Sequence, residues 1–249
     1  MAGFPIVLTL PGWQGSGPAH WQSRWERAHG WQRVEQHDWQ RPLRGDWAAR
    51  LQDVVLAQPP TRPLLLAAHG LGCLLVAWWA AHSPLAGRVR GALLVAPPDM
   101  ARADNRARIP GWAAPAAPQP LPFASVLVAS SDDPCCSFES ASQLARQWGS
   151  SFYHLRPHGH INVDSEVESP STAPERGAKA APIESQSTAL AAAMASICND
   201  ERGHFGAQGG HGGVTPSLSG LGDWEEGLRL LDSLAPAHDI FNPTHENPP

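Results

Sequence analysis

Two kinds of apolar pattern alternate along this chain. Short runs rich in Val, Leu and Ile predict buried strands, and segments in which apolar residues recur every three or four positions predict amphipathic helices. The predicted strands are "PIVLTL" at 5–10, "WQRVEQHDW" at 31–39, 63–68, 91–99, "FASVLVASSDDP" ending at Asp133, and "SFYHLRP" at 151–157. The predicted helices begin at Pro18 and at Asp46 as an N-cap, cover 71–82, run from Ser137 as a cap to Gly149, and cover 220–234 with Asp223 as N-cap. This alternation predicts an α/β protein: a mostly parallel sheet flanked by helices on both faces, with functional groups in the loops at the carboxyl ends of the strands.

One long segment departs from these patterns. Between 166 and 218, Ser, Ala, Pro, Gly and scattered charges replace the large apolar residues. Such a composition buries too little apolar surface to offset the entropy of the chain, so we expect disorder there. We therefore predict one discontinuous domain, 1–165 and 219–236, with a low-complexity insertion at 166–218 before the last helix and a flexible tail at 237–249.

Charge and hydropathy narrow the set of partners. The chain has 249 residues and a net charge of −5, with charges of both signs spread along its length. It has no basic stripe of the kind that neutralises a phosphate backbone, so we expect no nucleic-acid partner. The apolar runs are too short to cross a bilayer, and "MAGFPIVLTLPGW" lacks the positive flank of a signal peptide, so we expect a cytoplasmic protein without a membrane partner.

Cysteines and histidines are the residues that raise the question of a metal. The four cysteines are Cys73, Cys135, Cys136 and Cys198. A vicinal pair can hardly form a disulfide without strain, and the spacing fits no zinc template, so reduced thiols are predicted. His158 and His160 could form a ligand pair, but no carboxylate or third histidine stands at ligand spacing in the sequence. We therefore expect neither a metal nor another cofactor.

The candidate chemistry begins at "LLLAAHGLGCLLVAWW", which predicts a strand, a tight turn and a helix. Its turn fits the frame Gly-x-Ser-x-Gly that carries the nucleophile of one large class of hydrolases, except that Gly70 stands in the serine position. Asp133 follows a later strand and His160 follows the last one, which gives the order nucleophile, acid, histidine. In such a triad the imidazole takes the proton of the hydroxyl and the carboxylate orients the imidazole. Asp132 competes with Asp133 for the role of the acid.

The chain resembles the small serine hydrolases of the retinoblastoma-binding protein nine type, within the α/β-hydrolase superfamily. The matching stretches include "PGWQGSGPAHWQSRWE", "AAHGLGCLLVAWWAA", "RGALLVAPPD", "GHIN" and "GLGDWEEGLRLL". Members of that group have "HSLG" where this chain has "HGLG". The resemblance implies an α/β-hydrolase fold, Gly70 in the nucleophile position, Asp133 as the orienting acid and His160 as the base. It also implies an oxyanion hole made by the backbone N–H groups of Leu71 and Trp13.

The sequence supports two hypotheses for the function. In the first, the chain is by family a hydrolase of small carboxylic esters or related acyl compounds that has lost covalent catalysis and keeps a water activated by His160 and Asp133. In the second, it is a non-catalytic protein that uses the same pocket to bind an acyl ligand or a protein partner. Cys73, three residues after Gly70, is expected to be a buried and inert thiol, not a substitute nucleophile.

Overall fold

The structure is a computed structural model that describes residues 4–113, 119–162, 221 and 223–235. The segment 166–218 and the tail 237–249, for which the sequence predicts disorder, lie outside these described residues. Within the described ranges, strands and helices alternate along the chain, as the sequence predicts.

Six parallel strands form the sheet, in the order β2-β1-β3-β4-β5-β6. The strands are β1 (Ile6–Leu10), β2 (Gln32–Arg33), β3 (Leu64–His69), β4 (Val89–Val95), β5 (Ala124–Ser130) and β6 (Ser151–Leu155). Every residue of β3 is buried, as expected for a strand that lies between two parallel neighbours and is covered on both faces. This arrangement confirms the predicted parallel sheet.

Helices cover both faces of the sheet. Within β3, Leu64 and Leu66 point into one apolar cluster, and Leu65 and Ala67 point into another, because side chains alternate along a strand. The helices are α1 (Trp21–His29), α2 (Arg44–Ala57), α3 (Leu71–His82), α4 (Ala103–Arg108), α5 (Phe138–Trp148) and α6 (Glu225–Asp232). α2, α3 and α5 contribute residues to the first cluster, and α1 and α6 contribute residues to the second. No helix in the described part of the chain is long and apolar enough to cross a membrane.

Three of the predicted strands run three or more residues past their observed ends. The second strand ends at Arg33, since β2 pairs with β1 through two residues only, at the edge of the sheet. β4 covers Val89–Val95, not 91–99, because "PPD" follows as a loop. β5 ends at Ser130, so Asp133 lies in the loop beyond the strand and not at its last position.

The predicted starts of helices α2 and α6 are also wrong. α2 begins at Arg44 with Leu43 as the N-cap residue, and Asp46 lies inside its first turn. A carboxylate favours a helix at the cap and also in the first turn, so Asp46 does not determine the start. α6 begins at Glu225, beyond the predicted cap Asp223.

The helix predicted from Pro18 begins three residues later. α1 starts at Trp21, and the N-cap residue is His20, whose ring accepts a hydrogen bond from the N–H of Gln22. The cap at Ser137 and the end at Gly149 are confirmed for α5. The connection 101–122 contains α4, which the sequence did not predict.

Candidate active site

Gly70 forms a sharp turn between β3 and α3. Its backbone has φ 52° and ψ −121°, which is a strained conformation for any residue with a side chain. The N–H of Gly70 donates to the carbonyl of Val95 at 2.9 Å, and its carbonyl accepts from the N–H of Cys73 at 3.0 Å. A Cβ atom built on Gly70 would lie 3.4 Å from Nε2 of His160. The turn therefore directs position 70 at the His160 ring.

Two other glycines let the backbone pack closely around this turn. A Cβ atom on Gly72 would lie 2.2 Å from the carbonyl oxygen of Leu10, so only glycine lets α3 begin against the end of β1. A Cβ atom on Gly12 would lie 3.2 Å from the carbonyl oxygen of His69 and 3.3 Å from the nitrogen of Leu71. The loop after β1 therefore lies directly against the turn at Gly70.

His160 and Asp133 form a pair on the loops that follow β6 and β5. Nδ1 of His160 lies 3.0 Å from each carboxylate oxygen of Asp133. The Asp133 side chain is 1% exposed and the His160 side chain is 18% exposed. Because a carboxylate only accepts, Nδ1 donates the proton, and in the neutral ring Nε2 keeps its lone pair. That lone pair lies on the side of the ring where Gly70 stands.

Asp132 has different partners. One of its oxygens accepts hydrogen bonds from the Ser130 hydroxyl at 2.5 Å and from the backbone N–H groups of His158 at 2.9 Å and Gly159 at 2.8 Å. Burial alone would raise the pKa of Asp132, but the hydrogen bonds from Ser130, Gly159 and His158 outweigh it and lower that pKa. Of the two candidate carboxylates, the structure brings Asp133 to His160 and Asp132 to the backbone of the same loop.

Two side chains from other elements hold the backbone at His160. The ring N–H of His69 donates to the carbonyl of His160 at 2.9 Å, and the indole N–H of Trp21 donates to the carbonyl of Ile161 at 3.0 Å. Ile161 is 1% exposed and has φ 53°, an unusual conformation for a β-branched residue. These contacts fix the orientation of a locally strained loop.

Sequence reasoning missed the histidine pair beside this loop. The rings of His20 and His69 meet edge to face at 4.7 Å, and His69 meets His160 at 4.9 Å. Burial, with smaller effects of His160 and Arg33, lowers the pKa of His20 to about 3. Burial likewise lowers the pKa of His69, and neighbouring His20 and His160 add to the effect. The available signal was a histidine between a predicted buried strand and Gly70.

Leu71 and Trp13, the two predicted oxyanion-hole residues, lie on the two backbone segments that meet at the turn of Gly70. Leu71 is the first residue of α3, and the first N–H groups of a helix have no acceptor inside it. Trp13 follows Gly12 in the loop that packs against the turn. Its half-buried side chain packs against the first apolar cluster, and its indole N–H donates to the carbonyl of Gln40 at 3.0 Å.

The buried cysteines are inert thiols. Cys73 is buried, its sulfur lies 3.3 Å from the carbonyl of Val95, and burial raises its pKa far above the ordinary value. Burial, with the carboxylates of Asp133 and Asp99 adding to it, raises the pKa of Cys136 to about 12. Cys198 lies outside the described residues. Cys73 therefore offers no substitute nucleophile.

The structure brings two further residues with metal-ligating atoms to His160, which lie far from it in sequence. Ligand atoms of Asp133, Cys135 and His160 all lie within 4.8 Å of one another. Spacing did not reveal the group, because His160 reaches it from another loop. His158 does not join it, and its Nδ1 lies 2.8 Å from the carbonyl of Arg156.

A cavity of about 420 Å³ lies elsewhere, against α3 and α5. Its lining includes Trp78, Trp112 and Trp148 and none of Gly70, Asp133 and His160. The cavity is therefore separate from the group of residues that could carry out chemistry.

Comparison with known proteins identifies the family. The family model described as serine hydrolase matches residues 7–173, about two thirds of the chain, including Gly70, Asp133 and His160. The chain belongs to the serine hydrolase family. No curated protein sequence matches it significantly.

Solved structures agree with the fold of this serine hydrolase. A protein described as a YdeN-like hydrolase from Pectobacterium atrosepticum is 29% identical, with 64% of this chain and 80% of that chain covered and a TM-score of 0.55. The ydeN gene product of B. subtilis is 20% identical, covers 64% and 88%, and has a TM-score of 0.50. The RedJ thioesterase of the prodiginine pathway of Streptomyces coelicolor is 16% identical, covers 63% and 83%, and has a TM-score of 0.50. The last two show the fold alone, and together with the parallel sheet the comparisons confirm the predicted α/β-hydrolase fold.

Proposed function

We propose that this protein is a serine hydrolase of the retinoblastoma-binding protein nine type in which Gly70 occupies the nucleophile position. It hydrolyses small carboxylic esters or related acyl compounds by activating water, and the covalent route is lost with the serine side chain. One observation carries the proposal: a Cβ atom on Gly70 would lie 3.4 Å from Nε2 of His160, whose Nδ1 lies 3.0 Å from Asp133.

This geometry supports the roles of base and orienting acid. A serine hydroxyl lies one bond beyond Cβ, so at position 70 it comes within hydrogen-bond reach of His160, about 2.6–3.2 Å. Without the side chain, a water molecule takes that place and gives its proton to Nε2 as it attacks the acyl carbon. Asp133 holds the ring in the required tautomer and stabilises the imidazolium that forms.

The oxyanion hole survives the loss of the serine in this proposal. Leu71 and Trp13 donate from backbone N–H groups, which a substitution at position 70 does not remove. Serine proteases that lack a triad residue keep roughly 10³ to 10⁴-fold catalysis over water from such donors and from binding. We therefore expect slow turnover from the native chain.

The test compares the native protein with Gly70→Ser in hydrolysis of p-nitrophenyl acetate. We expect Gly70→Ser to be faster by roughly 100-fold or more, because the hydroxyl restores the covalent route. It should also label with a fluorophosphonate probe, and labelling should disappear in Gly70→Ser/His160→Ala. Gly70→Ala is the matched control, since it adds the same Cβ atom without a hydroxyl.

Two results would contradict the proposal. Equal activity of the native protein and Gly70→Ser would show that position 70 is not the nucleophile position. A folded but inert Gly70→Ser protein would remove the hydrolase assignment and leave the second hypothesis, a protein that binds an acyl ligand without cleaving it.

A further inference from the structure

Three residues with different metal-ligating atoms meet beside the ring of His160, and one of them, Asp133, lies at Nδ1. Asp133 offers a carboxylate, Cys135 a thiol and His160 an imidazole nitrogen, and the ligand atoms all lie within 4.8 Å of one another. We propose that Asp133, Cys135 and His160 bind a divalent cation of the zinc type, and that this cation switches off His160 as a base.

The donor set matches the chemistry of zinc. Zn²⁺ binds imidazole nitrogen, thiolate sulfur and carboxylate oxygen, and sites with three protein ligands keep one position for water. Bond lengths of about 2.0 Å to nitrogen and oxygen and about 2.3 Å to sulfur place neighbouring ligand atoms about 3.3–3.6 Å apart in a tetrahedron. Nδ1 of His160 already lies 3.0 Å from the oxygens of Asp133. The sulfur of Cys135 lies within 4.8 Å of the other ligand atoms, so it needs to move by no more than about 1 Å.

Burial and charge favour a cation at this place. The Asp133 side chain is 1% exposed, so its negative charge acts with little screening by water. Cys135 is half-buried, so the site is less enclosed at this residue than at Asp133. The neighbouring Cys136 is buried and does not belong to the ligand group. Cys135 is thus the proposed ligand, and a substitution of the neighbouring Cys136 is the matched control.

Binding changes which nitrogen of His160 carries the proton. Without the cation, Nδ1 carries the proton that it donates to Asp133. A cation bound to Nδ1 occupies the lone pair that holds this proton, so in the neutral ring the proton is carried by Nε2 instead. The thiol of Cys135 releases its proton to solvent as the sulfur–metal bond forms. Nε2 then faces Gly70 as a donor and cannot accept a proton from water or from a hydroxyl. The inference that the cation binds depends on the ligand geometry alone. The inference that binding stops ester hydrolysis also depends on the proposed function.

The first experiment measures Zn²⁺ binding to the full chain under reducing conditions, by competition with a chromophoric chelator. Cys135→Ser should weaken binding by about 100-fold, since loss of an outer-shell partner of a metal site alone costs about 10 to 100-fold. Cys136→Ser should bind like the native protein. With Co²⁺ as the probe, the native protein should show a thiolate-to-metal charge-transfer band that Cys135→Ser lacks. Equal Zn²⁺ affinity in the native protein and Cys135→Ser, or loss of binding in Cys136→Ser, would overturn the site.

The second experiment measures ester hydrolysis by Gly70→Ser at increasing Zn²⁺. We expect inhibition over the concentration range of binding, reversal by EDTA, and resistance in Gly70→Ser/Cys135→Ser. Binding without inhibition of an active Gly70→Ser protein would overturn the switching of His160 and keep the site. An inert Gly70→Ser protein that still binds Zn²⁺ through Cys135 would overturn the proposed function and leave the site intact.

Discussion

His20 lies buried beside the catalytic candidates and remains neutral in the folded chain. Only 3% of the residue is exposed, its Nδ1 accepts from the N–H of Gln22, and its Nε2 has no partner among the described residues. Burial lowers its pKa from the ordinary 6.5 to about 3. Below the ordinary pKa, the His20 ring therefore binds a proton in the unfolded chain but not in the folded chain. The neutral His20 ring therefore contributes its full share of the unfolding free energy above the ordinary pKa. This contribution is lost as the pH falls toward the pKa of His20 in the folded protein.

A substitution at His20 tests this pH dependence. His20→Asn keeps an acceptor for the N–H of Gln22 and removes the titrating ring. Between pH 7.5 and pH 5, we expect the native protein to lose about 2 kcal/mol of unfolding free energy that His20→Asn does not lose. Urea unfolding at the two pH values measures the difference, with His82→Asn on the exposed end of α3 as the control. The same pH sensitivity in His20→Asn as in the native protein would contradict the account.

Sequence reasoning succeeded at the residue scale where the signal is local. The strand, the turn at Gly70 and the helix Leu71–His82 follow one another directly, and the structure has this helix at its predicted limits. The approach of His69 and Cys135 to His160 was not predicted, since it depends on which strands are neighbours in the sheet. β3, β4, β5 and β6 lie side by side, and their carboxyl ends bring together residues far apart in sequence.

At the scale of elements, the loop after β6 carries His160 and is held by hydrogen bonds to residues of other elements. It holds two residues with positive φ, Gly159 and Ile161, on either side of His160. The carboxylate of Asp132 accepts from two consecutive N–H groups of this loop, those of His158 and Gly159. A carboxylate in this position satisfies donors that the loop itself cannot satisfy. Asp132 thus joins the loop after β5 to the loop after β6.

Asp132→Asn tests this link between the two loops. An amide keeps one acceptor oxygen but loses the charge, so we expect a loss of about 1 kcal/mol of stability at pH 7. The pKa of Asp132 is lowered in the folded protein. The stability that the Asp132 carboxylate contributes is therefore present above its ordinary pKa and is lost as the pH falls through its pKa in the folded protein. The difference between native and Asp132→Asn unfolding midpoints should therefore shrink in acid. In the Gly70→Ser background, kcat should fall more than KM changes.

The control for this prediction is Asp104→Asn in α4, which is exposed and outside the two loops. A difference between native and Asp132→Asn that stays constant down to acid pH would contradict the proposed link. Unchanged kcat in Gly70→Ser/Asp132→Asn would show that the loop places His160 without this carboxylate.

Helix starts show why element limits are hard to predict. Asp46 and Asp223 have the chemistry of N-caps, but the helices begin at Arg44 and Glu225. A carboxylate is favourable at several positions near the start of a helix, so it does not mark one residue. Asp46 lies inside the first turn of α2, and Asp223 lies two residues before α6. The end of α5 was predicted correctly, because Gly149 has the left-handed conformation that closes a helix and that glycine adopts most easily.

At the scale of the whole molecule, the residues directly before α6 pack against α1 near the beginning of the chain. The indole N–H of Trp25 in α1 donates to the carbonyl of Asp223 at 2.7 Å, across 198 residues of sequence. The ring of Trp224 stacks on Trp25 at 5.6 Å and meets Trp21 edge to face at 5.1 Å. Trp21 also holds the carbonyl of Ile161 beside His160. The second apolar cluster therefore connects the last helix with the loop of the candidate base.

Removing the Trp224 ring tests how far the site depends on this connection. Trp224 is 4% exposed, and truncation of a large buried aromatic residue costs about 3–5 kcal/mol, so Trp224→Ala should lower the urea midpoint strongly. Trp224→Phe should lose much less, since its ring still fills the cluster and the indole N–H that it removes has no partner among the described residues. Trp31→Ala is the control, because Trp31 is half-buried and meets Trp25 edge to face at 5.6 Å. Since Trp21 packs on Trp224, hydrogen exchange at His160 and Ile161 should also become faster in Trp224→Ala than in Trp31→Ala. Equal losses of stability in these two variants would show that α6 adds little to the core, and unchanged exchange at Ile161 would show that the His160 loop is held independently of it.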